Sequence, residues 1–198
     1  MKLSLLIMIS SVPLLTVQSC STPRLSLYNT EVPSSYSNPE SLLFHSVRKA
    51  DIIAVMRLVE EGFVDINAVD ANGRTACICA VKYGDVGLVE YYISKKADLN
   101  IRDATGMTAL MVALNPERSV ILRLLLDAGA DVNIPDKHGY TPLMKAAYYG
   151  NYDIVSCLVN YDADLTRVDK DGKTALDLAR ERGHRRVSGL LEVEIKGE

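Results

Sequence analysis

The sequence predicts an all-α repeat solenoid of about five units, and two observations carry that prediction. First, Asp70, Asp103, Asp136 and Asp169 stand 33 residues apart, as do Gly73, Gly106, Gly139 and Gly172, and Thr75, Thr108, Thr141 and Thr174. Self-similarity at this period marks stacked units, each burying its apolar face only against its neighbours. Second, Leu110, Ala113, Ile121, Leu122, Leu124 and Leu125 recur at helical spacing, giving two short amphipathic helices per unit. Neither helix is long enough to be stable alone, so stacking is obligatory.

Taken in order, residues 1–19 open with Lys2 followed by an apolar, uncharged run from Leu3 to Val17. This is a secretory signal pattern, too short and too singly flanked for a membrane span. Residues 20–38 are rich in Ser, with Pro23 and Pro33 and few charges, and read as a flexible tether. The repeat region follows as units of about 39–69, 70–102, 103–135, 136–168 and 169–194. The first unit is degenerate, but its Asp65-Ile66-Asn67 lies 33 before Asp98-Leu99-Asn100, so the frame holds.

Within a unit, the Asp-x-x-Gly stretch reads as a turn. The following Thr can cap the orphan N–H groups of the first helix, and Pro142 sits just inside such a helix, where its missing N–H costs least. The third unit departs from the pattern: Leu114-Asn115-Pro116-Glu117-Arg118 stands where the fourth has Ala147-Tyr148-Tyr149-Gly150. Pro116 forbids normal helix continuation, which predicts a reshaped turn and a shorter first helix there. The end units must cover their outer faces with polar groups. Arg48, Lys49, Arg57, Glu60 and Glu61 in unit one, and Arg180, Glu181, Arg182, Arg185 and Arg186 in unit five, read as such caps.

Charge and cysteine content narrow the function classes. The formal net charge is −3 and no basic stripe stands out, so nothing points to nucleic acid. The cluster Arg180, Arg182, Arg185 and Arg186 reads as the solvated face of a capping helix rather than a phosphate site. Cys77 occupies the slot of Leu110 and Leu143, and Cys157 that of Leu124, so both read as small core hydrophobes. They lie two repeats apart, too far for a disulfide. Cys79 falls in the slot of Lys145, expected to be partly exposed, where truncation should matter little to stability.

Catalytic and metal-binding patterns are missing. His45, His138 and His184 are scattered over three units, and neither H-E-x-x-H nor G-x-S-x-G occurs. Gly172-Lys173-Thr174 lacks the phosphate-loop Gly, Arg167 standing in its place. Asp169-Lys170-Asp171-Gly172 lacks the closing Glu of a calcium loop, where Arg180 stands. No catalytic residue, cofactor or metal site is expected.

Thr141-Pro142-Leu143-Met144-Lys145-Ala146-Ala147 and Gly129-Ala130-Asp131-Val132-Asn133 are the segments that carry a family resemblance. Over about residues 39–194 the chain resembles the ankyrin repeat, with Met144 in a His slot. The resemblance implies paired antiparallel helices joined by hairpin fingers. It implies partner proteins bound by the fingers and by the exposed face of the first helices. His45 takes the family's His slot, which implies a packing and hydrogen-bonding role. On the binding slots stand Tyr83, Met107, Lys137, His138, Tyr140, Tyr148 and Tyr149, expected to align into a strip on the concave side. Tyrosine suits such a role because it is large, rigid and polar-tipped. The alternative is that these rings only cover neighbouring helices. Tyr91, Tyr92 and Tyr161 fall on the back face and read as packing residues.

Val17-Gln18-Ser19-Cys20 resembles the signal of bacterial lipoproteins, with Gln18 a departure. That resemblance implies cleavage before Cys20, lipidation of Cys20 and, from Ser21, an outer-membrane location facing the periplasm. An ordinary cleaved signal with Cys20 incidental, giving a secreted or soluble periplasmic protein, is the alternative. The combined expectation is an exported, lipid-anchored, non-catalytic module that binds and neutralises a partner protein, such as a toxin or enzyme, in the manner of an immunity protein. An envelope scaffold or stress-protection role, or a secreted effector acting on host proteins, remains open beside it.

Overall fold

A computed structural model describes residues 38–197. The predicted signal, Cys20 and all but the last residue of the predicted tether lie outside the described residues. Helices come in five consecutive pairs: α1 (Pro39–Arg48) with α2 (Ile52–Glu60), α3 (Ala76–Tyr83) with α4 (Val86–Ser94), α5 (Ala109–Val112) with α6 (Ser119–Asp127), α7 (Pro142–Tyr148) with α8 (Tyr152–Asn160), and α9 (Ala175–Glu181) with α10 (Arg185–Gly197). First helices pack on first helices, as α1 on α3, α3 on α5 and α7 on α9; second helices do the same, as α4 on α6 and α8 on α10. This is the all-α repeat solenoid that the 33-residue period predicts.

Local chemistry repeats with the sequence. Thr75, Thr108, Thr141 and Thr174 each accept at Oγ1 from the backbone N–H three residues on, at 3.1–3.3 Å. Each finger is closed by its leading Asp: Asp136 Oδ1 accepts from the N–H groups of His138 and Tyr140 at 2.8 and 3.0 Å, and Asp70, Asp103 and Asp169 do likewise. Neighbouring fingers are joined by backbone bonds, Ala104 N–H to the Asn72 carbonyl at 2.8 Å and Lys137 N–H to the Thr105 carbonyl at 3.2 Å. Gly106 is required at that junction: its φ is +83° and a Cβ there would stand 2.6 Å from the Lys137 nitrogen. A second ladder runs through Asn67, Asn100 and Asn133, whose Oδ1 atoms accept from the N–H of Asp98, Asp131 and Asp164 in the next unit at 2.8–2.9 Å.

The core is a column of side chains at equivalent slots, with Tyr92, Leu125, Leu158 and Leu191 all fully buried. Leu110 and Leu143 fill the matching position on the first helices. Unit three shows what Pro116 dictates: α5 has only four residues, and a 3₁₀ turn over Pro116–Arg118 leads into α6.

Three expectations need correction. Cys79 is buried, at 6% exposure, because its thiol stops short where the longer Lys145 at the equivalent slot reaches solvent. Cys157 is only half-buried, as is Leu124 in the same slot, because that flank of the second helices faces outward. The end faces are not purely polar. Phe44, Met56 and Val59 are half-buried, although Cys77, Val89 and Tyr92 at the same slots one unit on are fully covered. The first unit has no described neighbour on that side, and Ile53 is 77% and Phe63 56% exposed; Val193 near the other end is 67% exposed.

Candidate protein-binding surface

The fingers and the C-terminal ends of the first helices place the candidate residues. Tyr140 ends the fourth finger, one residue before the Thr141 cap. Tyr148 is the last residue of α7, and Tyr149 is its C-cap. This geometry joins the three rings edge to face: Tyr140 and Tyr148 lie 6.4 Å apart between centroids, Tyr148 and Tyr149 5.2 Å. Such pairs contribute about 0.5–1.5 kcal/mol beyond their buried area, so the row is stiff as well as apolar. Tyr149 is the outermost ring, 68% exposed.

Cations frame the row. Lys145 Nζ stands 5.8 Å from the Tyr140 centroid and forms a 2.7 Å ion pair with Asp136 Oδ2, whose side chain is 3% exposed. Burial works to raise the Asp136 pKa, but the Lys145 ammonium and the N–H groups of His138 and Tyr140 outweigh it and hold the carboxyl below its ordinary value. Tyr140 is shifted upward, by burial first and then by the carboxylates of Asp169 and Asp171. Arg182 lies over Tyr148, its guanidinium carbon 3.9 Å from the centroid.

The remaining candidates stand apart from this row. Tyr83, 49% exposed, ends α3 at the slot of Tyr149. Met107 is half-buried at the slot of Tyr140, its N–H held by Asp103 at 2.9 Å. Lys137 and His138 are exposed at the tip of the fourth finger. The ring contacts therefore join Tyr140, Tyr148 and Tyr149, and neither Tyr83 nor Met107 enters them. Tyr91 and Tyr92 pack edge to face with each other, 5.6 Å apart, on the covered side. Tyr161 donates to Asp127.

Sequence reasoning gave no role to His184 or Arg118. His184 Nε2–H donates to the Tyr148 carbonyl at 3.0 Å, since a carbonyl can only accept. Arg118 stands 66 residues earlier, two periods, in the same slot. That equivalence was the available signal.

The chemistry of the surface is that of contact rather than catalysis. Burial pushes Cys77 up to about 12 and also raises Cys79 and Cys157, so the described thiols stay protonated and poorly nucleophilic at neutral pH. Among the described residues, no three His, Cys, Asp or Glu side chains converge as a metal would need, and no helix is long and apolar enough to cross a membrane.

Comparison with known proteins bears on the same residues. The chain matches the family model for ankyrin repeats (many copies) over residues 125–179, and the model for ankyrin repeats (3 copies) over residues 23–103 and 42–136. No curated protein matches it.

Proposed function

The chain belongs to the ankyrin-repeat family, and from that premise we propose that its fingers and first-helix ends grip one partner protein through Tyr140, Tyr148 and Tyr149. Membership makes it a protein–protein interaction module, built on a family scaffold that is typically non-catalytic. The observation that carries the finer reading is the edge-to-face row of three tyrosines, the outermost largely exposed. Rigid aromatic rings bury much area at small entropy cost, as binding anchors do. Tyr83, Met107, Lys137 and His138 extend the contact along neighbouring units.

The signal pattern and Cys20 supply the setting. The module is exported, acylated at Cys20 and held on the outer membrane facing the periplasm, where it binds and neutralises a toxin or enzyme as an immunity protein does. A single acyl chain holds a protein only marginally, so stable anchoring needs more than one.

The test is capture of the partner by the mature protein, identified by mass spectrometry and then titrated. Tyr148→Ala with Tyr149→Ala should weaken binding by roughly thirtyfold or more, about 2 kcal/mol, with the helical content retained. Equal affinity in the double variant refutes the proposed contact. Metabolic labelling with a fatty acid decides the anchor: wild type should incorporate label and Cys20→Ser should not, and unlabelled wild type removes lipidation from the reading.

A further inference from the structure

Resting on that reading of the tyrosine row, we propose that the inter-helix turns of units four and five receive an acidic segment of the partner protein, its carboxylates held by Arg182 and Arg186. The structure divides the arginine cluster of unit five, which the sequence alone leaves as one solvated face. Arg180 is neutralised by Glu192 at 2.8 Å, and nearby Lys173 by Glu181 at 2.8 Å. Among the described residues no ion pair involves Arg182 or Arg186. Instead each lies over a tyrosine of the preceding unit: Arg182 over Tyr148 at 3.9 Å, Arg186 over Tyr152 at 4.5 Å.

A guanidinium flat on a ring is held in place while its N–H donors, which lie in its plane, stay free at the rim. Both arginines are exposed, so those donors meet solvent. His184 bonds to the Tyr148 carbonyl and ties this turn to the end of α7. The arrangement is unfavourable in the free protein, because Arg185 and Arg186 occupy the first turn of α10, at the positive end of its dipole. In α8 that turn carries Asp153. An anionic segment relieves the conflict and accepts the free donors bidentately.

The border of the site decides the kind of anion. Tyr149 stands beside Tyr148 with most of its ring exposed, offering an apolar contact next to the guanidinium pair. That pairing fits a peptide in which Asp or Glu alternates with apolar side chains. A nucleic acid would meet repulsion from a chain whose net charge is −3.

The probe is a fluorescein-labelled peptide of alternating Glu and Leu, titrated into the full chain by anisotropy. Comparison probes are the Lys/Leu peptide and an oligothymidylate of equal length. Arg182→Gln with Arg186→Gln should raise Kd about tenfold or more, whereas Arg180→Gln should leave it unchanged. The Lys/Leu peptide should bind more weakly than the Glu/Leu peptide to the wild-type chain, a comparison that needs no variant to fold. Equal affinity in the double arginine variant, equal affinity for the Lys/Leu peptide, or tighter binding of the oligothymidylate overturns the inference. If the captured partner is lost by Tyr148→Ala with Tyr149→Ala but kept by the double arginine variant, the tyrosine surface stands and the acidic segment falls. If the tyrosine variant keeps the partner, the surface itself is wrong.

Discussion

Arg118 donates from Nη2 to the main-chain carbonyl of Lys82 at 2.8 Å, in register the same bond that His184 makes to the Tyr148 carbonyl. Both side chains reach back to the end of the first helix of the preceding unit, whose last carbonyls lack partners within the helix. In unit three, where Pro116 has removed the usual turn, Arg118 also donates from Nη1 to the Val112 carbonyl at 3.2 Å. One residue thus joins the broken turn to the unit before it.

Removing that side chain should be felt across the junction. Arg118→Ala is expected to cost about 1–2 kcal/mol, since it deletes charge-assisted bonds to two carbonyls that are only partly solvated. Arg123→Ala, exposed on the same helix region, should be nearly silent. Calorimetric midpoints for the two variants check this, and equal midpoints would show that the bridge contributes nothing.

The His184 bond makes its own demand on the turn above it. Gly150 has φ +73°, and a Cβ there would stand 2.5 Å from His184 Nδ1. Gly150→Ala should therefore cost about 1–3 kcal/mol through backbone strain and displacement of the imidazole. Gly84→Ala, at φ +76° with open space around it, carries the strain without the clash and should cost less. Denaturant titration of both separates the two effects.

Lys145 illustrates a slot whose importance its exposure hides. At 25% exposure it reads from sequence as dispensable, yet it is paired with Asp136, which is 3% exposed. Lys145→Ala leaves that carboxylate buried without its cation, at an expected cost of about 1–3 kcal/mol. Leu143→Ala, in the fully packed slot, should cost roughly 2–5 kcal/mol. A Lys145→Ala chain that melts with wild type would place the Asp136 carboxylate in effective contact with water.

Acid should unfold the protein through the same finger carboxylates. Asp70, Asp103 and Asp136 all have folded pKa values below the ordinary 3.8, burial being outweighed by their hydrogen bonds and cations. A depressed carboxylate contributes stability that is fully present above its unfolded pKa and is lost as pH falls through the folded one. Stability should hold across neutral pH and decline once pH drops below about 4. Urea midpoints measured from pH 7 to pH 2 test this, and a midpoint insensitive to pH in that lower range would contradict it.

Tyr92 offers a change in the other direction. It is fully buried, its hydroxyl has no partner, and Leu fills its slot in the next three units. Tyr92→Phe removes an unsatisfied polar group while keeping the ring, and is expected to stabilise by about 1 kcal/mol. A lower midpoint would reveal a buried water bonded to that hydroxyl.

The 33-residue period determined the solenoid, because caps, turns and apolar slots act within a few residues and repeat with the chain. Thr141 caps its own helix and Asp136 closes its own finger through bonds spanning two to four residues, so both were legible in the sequence. Pro116 likewise announced its broken turn, since its effect on the backbone is local. The tertiary structure decided what depends on neighbours a full unit away. Arg182 is 34 residues from Tyr148 and Arg186 is 34 from Tyr152, and no local pattern tells a cation stacked on a ring from one turned to water. The same holds for Cys79, buried where Lys145 emerges, and for Phe44 and Met56, apolar slots half-open at the end of the described stack. Side chains at equivalent positions share a place in the period, but their burial and pairing follow from the particular residues stacked above and below them.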